Sequence, residues 1–213
     1  MERIKALLKD QSKPLTWVFT GDSITHGALH TFGWRTYTEL FAERIRFELG
    51  RPRDIVINTG ISGDRTGGLL KDFDWRVSRF QPHVASVMMG MNDCSAGPAG
   101  REAFRKNLDE IVDRLSMLPG CVPLLHTMNA ITALDTGRQD LPAYVEIIRD
   151  VAARRHVPLI DHYTQWKQVN FNGWLNDATI HPNEYGHRVF ANRIYTEFGI
   201  FDAKSPSCRL FVP

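Results

Sequence analysis

The sequence predicts a three-layer α/β domain built on a mainly parallel sheet. Short apolar runs alternate with longer amphipathic segments, and polar, often glycine-bearing stretches follow the runs. The apolar runs are 15–20 (LTWVFT), 54–58 (DIVIN), 84–89 (VASVMM), 122–127 (VPLLHT) and 157–161 (VPLID). None places a polar residue at every second position, the pattern of strands buried on both faces. Strands alternating with helices imply helices layered on the faces of a parallel sheet.

Taken in order, the first run leads into "TGDSITHG" at 20–27. Segment 34–49 then sets Tyr37, Leu40, Phe41, Ile45 and Leu49 at helical spacings of three and four. The second run opens onto "NTGISGDRT" and the third onto "GMNDC", which runs into the loop-like stretch "NDCSAGPAG" at 92–100. Segment 100–118 repeats the helical spacing with Phe104, Leu108, Ile111, Val112, Leu115 and Leu118. Segments 141–155 and 183–198 are further helices, the last opened by Asn183 as N-cap after Pro182. The expected organisation is one domain over 1–213, with a core at about 15–199 and an irregular tail at 200–213.

Composition excludes several classes. Apolar residues make up 43% and charged residues 23%, an ordinary globular balance, and the formal net charge is +2. That charge creates no field for nucleic acid or a membrane surface, and Arg154 with Arg155 is too short a basic cluster. The start, "MERIKALLKDQSKP", lacks the apolar core of a secretory signal, and no run approaches the ~18 apolar residues of a membrane span. Cys94, Cys121 and Cys208 show neither metal-ligand nor disulfide spacing, so the expected compartment is the cytoplasm. The other histidines, among them His26, His30 and His187, form no metal site, and no nucleotide-binding or G-x-S-x-G motif occurs.

The chemistry should gather where the strands end, because open α/β sheets bind ligands at their carboxyl edge. Ser23 follows the first strand. Its hydroxyl needs a general base to act as a nucleophile, and His181 is the candidate. Asp177 could hold the imidazole in the right tautomer. The N–H groups of Ser23 and Gly63 and the side-chain amide of Asn92 are candidate donors for an oxyanion. Each has a bland alternative: Ser23 as a helix cap, His181 as a packed histidine, Gly63 and Asn92 as turn formers. Asp22 and Asp93 read as loop carboxylates bracing the site. Asp161 and His162 read as structural, and His126 as a strand-end residue that either packs or lines the pocket.

"GDSITHG", the glycine of "GISGDRT", "GMND" and "HPNEYG" follow in order the four sequence blocks of the SGNH hydrolases, also called GDSL esterases or lipases. The resemblance spans residues 19 to 187. It implies a flavodoxin-like α/β/α sandwich with about five parallel strands, Ser23 as nucleophile and His181 as base. It also implies an oxyanion hole of the Ser23 N–H, the Gly63 N–H and Asn92. One feature departs from the family pattern. The acid usually stands three residues before the histidine, but position 178 is Ala and the nearest carboxylate is Asp177, four before. Either that loop bulges to present Asp177, or Ser23 and His181 work as a dyad.

The implied activity is hydrolysis of carboxylic esters, with a small-molecule ester as partner and no metal or organic cofactor. Short acyl groups are favoured because no long apolar insertion is present to house a fatty chain. A thioesterase or lysophospholipase for longer chains is the alternative, and a non-catalytic binding module the alternative of another class. Loops 26–34 and 128–140 are expected to line the pocket. Trp34, Phe171 and Trp174 either stack on a sugar or aryl group or serve as ordinary packing. The tail, with Cys208, Leu210, Phe211 and Val212, is either a contact between copies of the chain or packed on its own domain.

Overall fold

All five apolar runs form strands: β1 (Thr16–Gly21), β2 (Ile55–Asn58), β3 (Val84–Met88), β4 (Val122–His126) and β5 (Leu159–Ile160). The structure is a computed structural model that describes residues 1–27, 31–132, 137–177 and 179–210. The strands pair in parallel in the order β2-β1-β3-β4-β5. This is the flavodoxin-like order, whose binding crevice opens at the carboxyl ends of β1 and β3, where the winding reverses. Burial on both faces holds for β1, β3 and β4. It fails for β2, where Ile55 is 56% exposed, because this strand forms one edge of the sheet.

The helices are α1 (Glu2–Lys9), α2 (Ser23–His26), α3 (Tyr37–Glu43), α4 (Thr66–Lys71), α5 (Phe73–Arg76), α6 (Arg101–Met117), α7 (Leu141–Arg154), α8 (His162–Lys167) and α9 (Glu184–Phe198). Helix α3 starts at the first apolar residue of segment 34–49, Tyr37, where Thr36 and Glu39 form a reciprocal capping box, and it runs on as a π-helical turn over Arg44–Glu48. Asn183 caps α9 as expected, accepting the N–H groups of Tyr185 and Gly186. The short helices α1, α2, α4, α5 and α8 escape a periodicity reading. Helix α1, for instance, buries only Ile4 and Leu8.

The aromatic residues of β1 face α3 and α9. Trp17 meets Phe41 and Phe198, and Phe19 meets Tyr37 and Phe41, with ring centroids 5.0–6.1 Å apart. Helices α4, α6 and α7 pack together on the other face, which completes the three layers. The tail packs on its own domain at Ser205, Ser207 and Cys208. Arg44 Nε donates to the Ile200 carbonyl at 3.0 Å, the Ser207 N–H donates to Glu48 at 2.9 Å, and Cys208 is buried. Phe211 and Val212 lie outside the described residues. Among those described, the three cysteines are free and buried, and no helix is long and apolar enough to cross a membrane.

His126 belongs to the interior. Its ring bonds Ser86 Oγ at 2.8 Å and His162 Nε2 at 3.0 Å, and both imidazoles are buried. Burial pushes the His126 pKa down to about 3 and His162 well below the ordinary histidine value. The folded protein therefore keeps both rings neutral, while the unfolded chain protonates them below about pH 6.5. Their contribution is complete above that pH and is lost as pH falls toward 3. From His126 alone the loss is about 1.4 kcal/mol per pH unit. Urea unfolding at pH 7 and pH 5 should show wild type losing roughly 2 kcal/mol more than His126→Gln. Equal pH dependence in the two proteins would refute this account.

Candidate active site

Asp22, not Ser23, caps α2: its Oδ1 accepts the Ile24 N–H at 3.0 Å. The helix-cap alternative for Ser23 thus falls to its neighbour, and Ser23 becomes the first helical residue, 7% exposed. A first helical residue has no intrahelical acceptor for its N–H. Asp22 is fully buried, and burial pushes its carboxyl up to about 7 against the Ile24 hydrogen bond.

Ser23 Oγ lies 3.0 Å from His181 Nε2. On the far side of the ring, Nδ1 meets Asp177 Oδ2. A carboxylate can only accept, so Nδ1 carries the hydrogen and Nε2 is left to accept the Ser23 hydroxyl proton. The loop closes on Asp177. Its Oδ1 accepts the N–H groups of Thr179 at 3.0 Å, Ile180 at 2.9 Å and His181 at 3.1 Å. Burial works against its charge, but the His181 hydrogen bond and these three N–H groups hold the carboxyl well below the usual range. The four-residue spacing is accommodated by chain wrapped around one carboxylate oxygen. Ala178, inside that loop, lies outside the described residues.

The loop is braced from two sides. Asn176 N–H donates to the His181 carbonyl at 2.8 Å and Asn183 N–H to the Trp174 carbonyl at 2.9 Å, forming its base. From the segment after β4, buried Asn129 donates to the Ile180 carbonyl at 2.9 Å, and Thr132 N–H to Thr179 at 3.2 Å. Gly186, the last letter of "HPNEYG", permits this approach. A Cβ there would stand 2.6 Å from the Trp174 carbonyl oxygen.

Asn92 Nδ2 donates to the Asp64 carbonyl at 2.9 Å, which joins the third polar segment to the second. A primary amide has a second N–H beyond that bond. Asp93 braces the same junction by accepting the Thr66 hydroxyl at 2.6 Å. Gly63 has φ +80°, a left-handed conformation costly for other residues, although a Cβ there would meet nothing within 4 Å. Backbone conformation, more than the space left by a missing side chain, calls for glycine at this position. Among the described residues, no backbone carbonyl takes the N–H of Ser23 or of Gly63.

The aromatic candidates differ in setting. Trp174 is 9% exposed and packs edge-on to Trp166 at 5.1 Å, and Phe171 lies 5.8 Å from the same ring. Both belong to the packing around α8 and α9. Trp34 is 58% exposed and lines a groove of about 260 Å³ with Arg35, Leu40, Glu43, Arg188 and Leu210. Residues 28–30 and 133–136 of the two expected pocket loops, with His30, lie outside the described residues. His26 Nδ1 pairs with Ser62 Oγ at 3.0 Å, His187 takes the Tyr37 N–H, and Asp161 caps α8 and pairs with Arg149. Among the described residues, no group of three or more His, Cys, Asp or Glu side chains could hold a metal ion.

A hydroxyl bonded to an imidazole that is itself bonded to a carboxylate can lose its proton to the ring, and the carboxylate stabilises the resulting imidazolium. Known proteins are similar to this chain in fold and in sequence. The crystal structure of LAE5, an alpha/beta hydrolase enzyme from the metagenome of Lake Arreo, is similar with a TM-score of 0.75 and 25% identity, over 88% of this chain and 96% of that one. Axe2, an acetylxylan esterase from Geobacillus stearothermophilus, shares the fold with a TM-score of 0.72 and 20% identity, over 87% and 94% of the two chains. An uncharacterized protein of Mycoplasma pneumoniae is 33% identical over 112 residues, which are 51% of this chain and only 12% of that protein. The family model of the GDSL-like lipases and acylhydrolases matches residues 19–189, which contain Ser23, Gly63, Asn92, Asp177 and His181 in order. With that match over most of its length, the chain belongs to the GDSL-like lipase/acylhydrolase family.

Proposed function

We propose that this protein is a serine esterase that hydrolyses short-acyl carboxylic esters through an acyl-Ser23 intermediate. The observation that carries the reading is the continuous hydrogen-bond chain from Ser23 Oγ through His181 to Asp177. His181 takes the Ser23 proton as Oγ attacks the ester carbonyl, then returns it to the leaving alcohol. Water next attacks the acyl-enzyme while His181 takes its proton, and the carboxylic acid departs as Ser23 regains its own. The Ser23 N–H, the Gly63 N–H and the second N–H of Asn92 stabilise the tetrahedral oxyanion in each half. No metal or organic cofactor enters these steps.

Family membership supports ester hydrolysis over a binding role, and the fold shared with an acetylxylan esterase accords with a small acyl group. An ester panel varied in both acyl and alcohol parts tests the substrate assignment. Turnover of p-nitrophenyl acetate should exceed that of the octanoate by about 10-fold or more in kcat/KM, within what acyl-pocket size can discriminate. A preference for octanoate would overturn the short-acyl assignment in favour of a thioesterase or lysophospholipase.

A further inference from the structure

Arg76 belongs to no motif, yet it is 1% exposed and sits beneath the candidate site at the end of α5. Its guanidinium divides among three backbone segments. Nη2 donates to the Gly21 carbonyl at 2.8 Å, two residues before Ser23. Nε donates to the Thr59 carbonyl at 3.1 Å, where the chain leaves β2 for the Gly63 loop. Nη1 pairs with the carboxylate of Asp64, the residue that follows Gly63 and whose carbonyl accepts from Asn92.

The place is significant because the sheet stops there. The β1–β2 ladder ends at Phe19 and Asn58; beyond it the Thr59 N–H donates to Phe19 and the Ile61 N–H to Gly21, while Asn58 Nδ2 donates to the Thr25 carbonyl at 2.7 Å and His26 pairs with Ser62 farther out. Past that point nothing in the strand pairing sets the Ser23 turn against the Gly63 turn. The Gly21 carbonyl accepts both Ile61 N–H and Arg76 Nη2, which makes it the junction of the two segments. A rigid planar fork can hold three acceptors at set angles, which a single ammonium on a flexible stem does poorly.

We propose that Arg76 is a positioning residue for oxyanion binding, holding the Ser23 and Gly63 N–H groups and Asn92 at the separation a tetrahedral intermediate requires. The proposal rests on the acyl-Ser23 reading above. A displacement of about 1 Å at a reacting centre costs on the order of 10²-fold in rate. The bland alternative is a buried ion pair with Asp64 that serves stability alone.

The two separate in Arg76→Lys, assayed per active site titrated with a fluorophosphonate. The expected result is kcat lowered by about 10²-fold with KM nearly unchanged, and a similar rise in the inhibition constant of phenylboronic acid, which forms a tetrahedral adduct. The pH midpoint of kcat/KM should stay in place, because the Ser23, His181 and Asp177 contacts are untouched. Asp64→Asn, which keeps the carbonyl that Asn92 uses, should give a smaller loss of the same pattern and serves if Arg76→Lys does not fold. Per-site kcat and phenylboronic acid inhibition near wild type in the folded variant would overturn the role of Arg76, whatever its melting temperature. A wild-type protein that resists titration would instead overturn the acyl-Ser23 reading.

Discussion

Ser23→Ala is expected to abolish fluorophosphonate labelling and to lower p-nitrophenyl acetate turnover by about 10⁴-fold or more, the scale seen when a serine nucleophile is removed. The physical reason is that Ser23 Oγ supplies the bond-forming atom and is hydrogen-bonded to the His181 Nε2 that takes its proton. The variant should fold normally. Ser23 begins α2 without capping it, and its one side-chain hydrogen bond is to His181 on a loop held by other contacts. An unchanged melting temperature would assign the loss to chemistry. Turnover near wild type in a folded Ser23→Ala protein would remove the acyl-enzyme mechanism altogether.

Asp177→Asn should lower kcat by on the order of 10²- to 10⁴-fold. The amide keeps an oxygen for the N–H groups of Thr179, Ile180 and His181, so the loop can keep its shape. It also turns an N–H toward His181 Nδ1, which places the ring hydrogen on Nε2, where it cannot accept the Ser23 proton. Asp177→Ala should add a loss of stability, because three backbone donors then lose their acceptor. A near-silent Asp177→Asn would show that Ser23 and His181 operate as a dyad. The carboxyl is held below its ordinary range when folded, so the stability it contributes is present at neutral pH. That contribution is lost as pH falls below the ordinary carboxylate range.

Much of this architecture is legible in one dimension. The five apolar runs became the five strands, and the long helices α6, α7 and α9 lie within a few residues of their periodic segments. Asn183 caps α9 because a short polar side chain before a helix does so locally. The short helices were not legible, since one or two turns carry too few apolar positions to establish a period. Nor was the exposure of β2. A run of Ile-Val-Ile looks the same at the centre or at the edge, and only strand order decides between them.

The candidate site divides in the same way. Ser23, Gly63, Asn92 and His181 are legible because their four segments follow in order the blocks of a family they resemble, whereas each residue type alone serves equally well as a cap, a turn former or a packed ring. The sequence by itself thus determined the layered α/β fold, the family and the chemical parts. Tertiary structure decided how they are held: that Asp177 reaches His181 across four residues, that Trp174 is buried and Phe171 packs on Trp166, that His126 is buried, and that Arg76 joins two loop segments beyond the sheet. The reason is physical. Local patterns encode periodicity and turn chemistry, whereas a bulged loop, a packed ring or a buried guanidinium takes its role from partners far away along the chain, and nothing beside it in sequence records them.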